Sequence, residues 1–251
     1  MQSAGPIILV TGGSRGIGRA TALMAAARGY AVAISFVSNE VAAQAVVAQI
    51  TAGGGRAMAV RADVSIEADI QALFARVDEK LGPLTALVNN AGVIGQISRL
   101  DAMTMERLTR VFQTNITGAF LCAKEAVRRM STKYGGTGGA IVNMSSIAAR
   151  IGSANEFIDY AASKSALDAM TLGLSKEVAA EGIRVNAVRP GLIDTDIHAS
   201  AGAPDRLQKF LPFVPNGRIG TPDEVAAVTL WLLSDEASYV TGALVDVGGG
   251  R

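Results

Sequence analysis

Short apolar runs of four to six residues recur along the chain: IILV (7–10), AVAISF (31–36), RAMAV (56–60), ALVN (86–89), AIVNM (140–144), RVNAV (184–188) and ALVDV (243–247). They read as β-strands, and the longer segments between them carry helical spacing. In the first such segment Ile17, Ala20, Leu23, Met24 and Ala27 fall on one face before Gly29 ends the helix. Asn39 is placed to cap the second, which runs to GGG at 53–55. Strands alternating with helices of this length require parallel pairing with right-handed crossovers. The pattern therefore predicts an α/β fold, one doubly wound parallel sheet of about seven strands with helices on both faces, as a single domain over residues 1–251. No repeat, linker or low-complexity segment interrupts it.

In such a sheet ligands bind at the carboxyl ends of the strands. The residues there are Thr11 to Gly18, Phe36 to Asn39, Asp63, Asn89 to Gly92, Ser145 and Ser146, and Pro190 to Asp196, a set rich in Gly, Asn, Ser and Asp. Composition narrows what they could bind. At 49% hydrophobic and 18% charged residues, the chain fills a core and is not disordered. A formal net charge of +1, with Lys and Arg scattered, leaves no electrostatic footprint for nucleic acid or a membrane surface. One cysteine, Cys122, excludes an intrachain disulfide, and with one histidine, His198, it argues against a Cys/His zinc site, so no metal is expected. Cys122 lies in the apolar string GAFLCA and reads as a buried structural thiol. No stretch reaches the roughly 18 apolar residues of a membrane span. The opening MQSAGPIILVTGG lacks the basic n-region of a signal peptide, so a cytoplasmic chain is expected.

The loop VTGGSRGIGRA (10–20) admits three chemical readings besides a tight turn. GGSRG (12–16) matches the G-x-S-x-G nucleophile elbow, with Ser14 as a hydrolase nucleophile and His198 as its base. GSRGIGRA (13–20) approaches the G-x-x-x-x-G-K-[ST] phosphate loop, but Arg19 and Ala20 stand where it has a lysine and a hydroxyl residue. In a dinucleotide loop, glycines would let the backbone approach a pyrophosphate at the helix N-terminus, here spaced G-x-x-x-G-x-G. Taken alone, the loop does not choose. Further on, YAASK (160–164) starts a helical stretch that puts Tyr160 and Lys164 four residues apart on one face. A packing amphipathic helix would account for that pair as well. Upstream lie NMSS and NNAG (89–92) at strand ends and NITG (115–118) within a long helix.

TGGSRGIG, the DV at 63–64, NNAG, Asn115, the serine pair, YAASK, RPGLIDT (189–195) and VTGALVDVGGG follow one another from Ile7 to Gly250. In that order they resemble the short-chain dehydrogenase/reductase family. The resemblance implies a Rossmann-like fold and an NAD(P)-dependent oxidoreductase acting on a small carbonyl or alcohol, with Ser146, Tyr160, Lys164 and Asn115 as the catalytic set. An unperturbed tyrosine has a pKa of about 10, and a neighbouring ammonium together with an oxidised nicotinamide would favour its phenolate. Tyr160 is thus the expected general acid/base, Lys164 its electrostatic tuner and ribose partner, and Ser146 the donor to the carbonyl oxygen. Asn115 would hold a water linking Lys164 to solvent. The family's serine is the second of such a pair, hence Ser146. The segment SIAARIGSANEFIDY, however, is one residue longer than the family pattern, which keeps Ser145 as an alternative. The extra residue is expected to bulge near Ser153 to Glu156.

For the cofactor, the resemblance assigns Gly12, Ser14, Arg15, Gly16, Ile17 and Gly18 to the pyrophosphate and adenosine end. Asp63 and Val64 would flank the adenine, Asn89, Ala91 and Gly92 the ribose, and Pro190, Gly191, Ile193 and Thr195 the nicotinamide side. The tip of the second strand, Phe36, Val37, Ser38 and Asn39, carries no acid to bind a ribose 2′-hydroxyl, and Arg15 could pair with a 2′-phosphate. NADP(H) is therefore preferred over NAD(H), with Ser38 and Asn39 at that end. Glu40 falls in the first helical turn, where it suits the dipole. The segment 192–220 is expected to cover the nicotinamide as a substrate lid. On it Phe210, Leu211 and Phe213 either line a pocket or dock the lid or a neighbouring subunit, and His198 reads as a solvated polar residue. Ile94, Gln96, Arg150 and Phe157 lie near the expected pocket mouth, and their mixed chemistry selects no substrate. The resemblance further implies a homotetramer packed through 104–130 and 160–181. Two other classes stay open: a cofactor-binding sensor without turnover, and the Ser14/His198 hydrolase.

Overall fold

The computed structural model describes residues 5–195, 202 and 205–251, so His198 and part of the 192–220 segment lie outside the described residues. Seven strands form one wholly parallel sheet: β1 (Ile7–Val10), β2 (Ala31–Phe36), β3 (Ala57–Arg61), β4 (Ala86–Asn89), β5 (Gly139–Met144), β6 (Ile183–Pro190) and β7 (Leu244–Val247). Their order is β3-β2-β1-β4-β5-β6-β7. Chain direction across the sheet reverses between β1 and β4, and the loops that follow these two strands part to open a crevice at their carboxyl ends.

Strand periodicity divides the core in two. Ile8, Val10, Val32, Ile34, Val88 and Val142 face one side, and Ile7, Leu9, Ala33, Leu87, Ile141 and Val185 face the other. The first side is covered by α1 (Gly16–Ala27), α2 (Glu40–Ala52) and a C-terminal helix, Pro222–Leu233. The second is covered by α3 (Glu67–Lys80), by Cys122, Ala126 and Met130 of α5 (Gly118–Met130), and by Val178. Cys122 is the buried thiol expected, and burial pushes it up to about 12.

Two helices depart from the simple pattern. In α1 the fully buried line is Gly18, Ala20, Thr21, Ala22 and Ala25; Ile17, Leu23 and Met24 pack at its border, and Ala27 is exposed. Small residues turn inward because α1 is wedged between the sheet and the helix Pro222–Leu233. The long helix expected across 104–130 is α4 (Met105–Phe112) joined to α5 through a π turn, Gln113–Thr117, which holds the NIT of NITG. A Cβ on Gly118 would lie 2.4 Å from the Val64 carbonyl oxygen, so the helix packs hard against the end of β3.

After β5 the chain makes the short helix α6 (Ala148–Ile151) and reaches α7 (Ile158–Val178) through a tight loop. Gly152, Ser153 and Asn155 all have positive φ, +74°, +47° and +62°. Two non-glycine residues in the left-handed region make this a sharply turned loop, in the stretch expected to bulge. Arg107 on α4 grips Asp159 at the start of α7 through two bonds of 2.7 and 2.9 Å, both side chains largely buried. Past β6, the helix α8 (Arg206–Phe210) and the turn Leu211–Phe213 lead to α9, the helix Pro222–Leu233, which opens on a Thr221/Glu224 capping box.

Candidate active site

The glycine loop is shaped by contacts only glycine allows. Gly12 and Gly16 take φ of +66° and +52°, and a Cβ on Gly18 would sit 2.4 Å from the Gly12 carbonyl oxygen. The first turn of α1 therefore lies directly beneath the loop. Its N-cap, Arg15, makes no side-chain cap, and no acidic residue occupies the first turn. By contrast, Asn39 caps α2 by accepting from the Ala42 N–H at 2.9 Å. The uncapped N–H groups and dipole end of α1 make a cradle for an anion, as a dinucleotide pyrophosphate requires.

From this loop a cleft of about 710 Å³ runs along the carboxyl edge of the sheet. Gly12, Ser14, Arg15, Gly16, Ile17, Gly18, Ser38, Asn39, Asp63, Val64, Ala91, Gly92, Pro190, Gly191, Ile193 and Thr195 all border it, as do Ser146, Tyr160 and Lys164. Such a volume and mixed lining suit a nicotinamide dinucleotide.

Two expected residues do not themselves border the cleft. Asn89 does not border the cleft: its amide turns into the core and donates to the Ala119 carbonyl at 3.1 Å and to Asn143 Oδ1 at 3.0 Å. The neighbouring Asn90 borders it instead, bracing the glycine loop through bonds to the Thr11 and Gly12 carbonyls at 2.9 and 3.1 Å. Asn115 is fully buried in the π turn. Its Oδ1 accepts from the Val93 N–H at 2.8 Å, and its Nδ2 donates to the Val93 carbonyl and to Ser163 Oγ at 2.9 and 3.0 Å. That amide fastens the loop after β4 to α7, the backbone-satisfying role of a buried asparagine.

At the centre, the first turns of α7 carry Tyr160 and Lys164 against the end of β5. The pairing of β4 with β5 ends at Asn89 and Asn143, and beyond it the Met144 carbonyl accepts from Lys164 Nζ at 2.7 Å. The same Nζ lies 5.5 Å from the centre of the Tyr160 ring. A Cβ on Gly92 would touch both Lys164 Nζ and Asn115 Oδ1 at 3.4 Å, so the absence of a side chain there keeps this corner open. Ser146 and Tyr160 border the cleft together, and the Ser146 hydroxyl oxygen accepts from the Ala148 N–H at 3.1 Å. Ser145 is buried, and its hydroxyl is committed to the Lys164 carbonyl at 3.1 Å. The two serines are thus separated by geometry: Ser146 meets the tyrosine and Ser145 pins the helix that carries it.

The chain's own groups act on both members of the pair mainly through burial. Burial pushes Tyr160 up to about 12, and the Ser146 hydrogen bond and the Arg206 guanidinium only partly oppose it. Burial likewise lowers Lys164 to about 8, with the Asp168 carboxylate one turn on resisting the shift. The protein alone does not make Tyr160 acidic, because desolvation of the phenolate outweighs the cations nearby.

Residues without a motif complete the far end of the cleft. Arg206 and Arg251 border it beside Phe157. Arg206 pairs with Glu156 and lies over the rings of Phe157 and Phe210, 5.0 and 4.6 Å from their centres. No spacing rule points to a lone arginine at the start of a short helix or at position 251, so the sequence held no signal for either. Of the expected mouth residues, Ile94 and Phe157 border the cleft, whereas Arg150 pairs with Asp246. Phe210 stacks under the arginines and Phe213 is exposed; neither borders the cleft, and neither does Leu211. Among the described residues no cluster of His, Cys, Asp and Glu could hold a metal ion, and no helix is long and apolar enough to cross a membrane.

Comparison with known proteins agrees with this geometry. The family described as "Enoyl-(Acyl carrier protein) reductase" matches residues 12–251. An uncharacterized oxidoreductase of Escherichia coli K12, YgfF, is 54% identical over 98% of this chain and 99% of its own. A 3-oxoacyl-[acyl-carrier-protein] reductase of Synechocystis is 40% identical over 97% and 96%. The crystal structure of a short-chain type dehydrogenase/reductase from Mycobacterium marinum superposes with a TM-score of 0.92 at 33% identity, covering 98% of this chain and 95% of that one. An uncapped glycine loop, a tyrosine and lysine at the sheet's carboxyl edge and relatives matched end to end lead to one assignment, an oxidoreductase of the short-chain dehydrogenase/reductase family.

Proposed function

We propose that the chain is an NADP(H)-dependent oxidoreductase interconverting a carbonyl compound and a secondary alcohol, with Tyr160 as general acid/base. The observation that carries this reading is the meeting of Tyr160, Ser146 and Lys164 at the wall of a cleft that the glycine loop closes at its other end. When bound, a nicotinamide would give a hydride to the carbonyl carbon in reduction and accept one from the carbinol carbon in oxidation. Gly12, Ser14, Arg15, Gly16, Ile17 and Gly18 would hold its pyrophosphate and adenosine end, and Pro190, Gly191, Ile193 and Thr195 its nicotinamide side.

Everything else is the work of the chain. In reduction Tyr160 gives its phenolic proton to the substrate oxygen while the Ser146 hydroxyl donates to the same oxygen. A phenol held at about 12 is protonated at neutral pH, which is the form reduction needs. Lys164 then faces the phenolate left behind and favours it by charge. Asn115, with its amide committed to Val93 and Ser163, would fix the loop after β4 beside Lys164, where the water linking Lys164 to solvent would be held.

The preference for NADP(H) rests on the turn after β2. Phe36 to Asn39 carries no acid, Arg15 is exposed beside the cleft, and Arg61 donates to the Val37 carbonyl at 3.1 Å, placing a second cation at the same turn. Phe120 on α5 and Leu172 on α7 are apolar and exposed, in support of these helices as the packing surfaces of a homotetramer, which sedimentation checks.

The test is reduction of a panel of ketones, aldoses and 3-oxoacyl thioesters, following loss of NADPH or NADH absorbance. The expected result is turnover with NADPH favoured, abolished in Tyr160→Phe, with Arg15→Glu narrowing the NADPH preference by roughly tenfold or more. Undiminished turnover in Tyr160→Phe overturns the mechanism.

A further inference from the structure

The cleft's substrate end carries a concentration of positive charge that the reaction with a carbonyl does not itself need. Arg206 and Arg251 both border the cleft there. Their guanidinium carbons lie 4.6 and 5.1 Å from the centre of one ring, Phe210, and Lys209 Nζ lies 5.1 Å from it. Among the described residues one carboxylate, Glu156, faces this group, pairing with Arg206 and reaching Lys209 at 3.9 Å. Arg206 is nine-tenths buried and held between the Phe157 and Phe210 rings. The Arg251 main chain is anchored by its N–H to the Gly248 carbonyl at 3.3 Å.

Two guanidinium groups brought to one ring at the edge of a cleft repel each other across a partly desolvated space. Burial and the charge of Arg206 both lower Arg251 from the ordinary arginine value, and the Glu156 carboxylate only partly opposes them. Such an arrangement is unfavourable for a lid that serves only to cover a neutral substrate. An anion in the cleft beside both arginines would relieve the repulsion, since carboxylates and phosphates take charge-assisted bonds from arginine forks. The cofactor's own phosphates have a separate cradle at α1, and the arginines stand with Phe157 and Tyr160 instead.

We propose that Arg206 and Arg251 form an anion subsite, so that this enzyme's substrate is a carbonyl compound bearing a carboxylate or another anionic group. The subsite holds that group while the carbonyl oxygen meets Tyr160 and Ser146. This rests on the reading of the site as a carbonyl reductase.

The experiment uses matched acids and methyl esters of ketones: 3-oxobutanoate and methyl 3-oxobutanoate, 4-acetylbenzoate and methyl 4-acetylbenzoate. Each is titrated by calorimetry into the chain saturated with NADP⁺, a combination that cannot exchange hydride, and each is then assayed for turnover with NADPH. The acids are expected to bind more tightly than their esters by roughly 10- to 100-fold. Arg206→Ala and Arg251→Ala should each bring the acid-to-ester ratio toward one, Arg206→Lys should retain part of it, and 0.5 M KCl should reduce it. Equal binding, preference for the ester, no binding of either, or a ratio that survives both alanine variants overturns the subsite, as does a change confined to NADP⁺ affinity. Selective binding of the acids without NADPH oxidation by any compound leaves the subsite standing and overturns the proposed reductase function.

Discussion

Lys164→Met tests the physical account of the site through stability rather than turnover. The ammonium lies in a buried position that lowers it from 10.5 to about 8. At about 1.4 kcal/mol per pKa unit, keeping that charge inside costs the native state about 3 kcal/mol at pH 7. Methionine removes the charge at similar volume and forfeits the 2.7 Å bond to the Met144 carbonyl, worth about 2 kcal/mol. The variant should therefore be as stable as the parent, or about 1 kcal/mol more stable, at pH 7, while reductase activity falls. The sharper signature is the pH dependence. Below pH 8 both native and unfolded lysine are protonated, so this group gives no slope. From pH 8 to 10.5 the unfolded chain holds the proton and the native chain has lost it, so stability rises with pH. Between pH 8 and about 9.5 the parent should gain about 2 kcal/mol relative to Lys164→Met. Tyr160 acts with the opposite sign, because a native phenol near 12 keeps its proton while the unfolded one loses it above 10, but only above this window. Urea unfolding followed by the fluorescence of Trp231 at pH 7, 8 and 9.5 measures the difference. Parallel stability curves for the two proteins, or a loss above about 2 kcal/mol at pH 7 in the variant, would refute the desolvation account.

Four further substitutions separate the roles of individual residues. Ser146→Ala should lower kcat by roughly 10²- to 10³-fold with little change in melting temperature, whereas Ser145→Ala should cost about 1 kcal/mol of stability through the lost bond to the Lys164 carbonyl; kinetics and thermal denaturation run side by side distinguish them. Gly18→Ala drives a methyl group to 2.4 Å from the Gly12 carbonyl, so α1 must retreat, and nucleotide affinity measured by calorimetry should fall at least roughly tenfold. Asp159→Asn leaves Arg107 buried without its carboxylate and should destabilise the fold by about 3–5 kcal/mol in urea titration.

Much of the molecule follows from local pattern. The seven apolar runs became the seven strands, with ends shifted by one or two residues, because a buried parallel strand leaves an apolar run that short-range reading detects. Asn39 caps its helix as expected, because capping is settled within a turn of the chain. The strand-end residues reached one cleft because a parallel sheet gathers all such ends on one edge.

Other properties depend on neighbours far away in the chain. The sequence names both Asn89 and Asn90, but only the packing of Asn89 against Asn143, 54 positions later, turns its amide inward and leaves Asn90 at the cleft. The inward face of α1 was set by a helix some two hundred positions on, which admits only small side chains. The resemblance favours Ser146 over Ser145, and the approach of α7 adds the physical difference by engaging the Ser145 hydroxyl with the Lys164 carbonyl. Arg206 and Arg251 belong to no motif and come together only in the folded chain. The charge state of Tyr160 is likewise invisible in YAASK, since desolvation depends on how many atoms surround a group. Residue order determined which groups could do the chemistry; solvent exclusion and long-range contact, which exist only in the folded chain, decided where each one points and how it titrates.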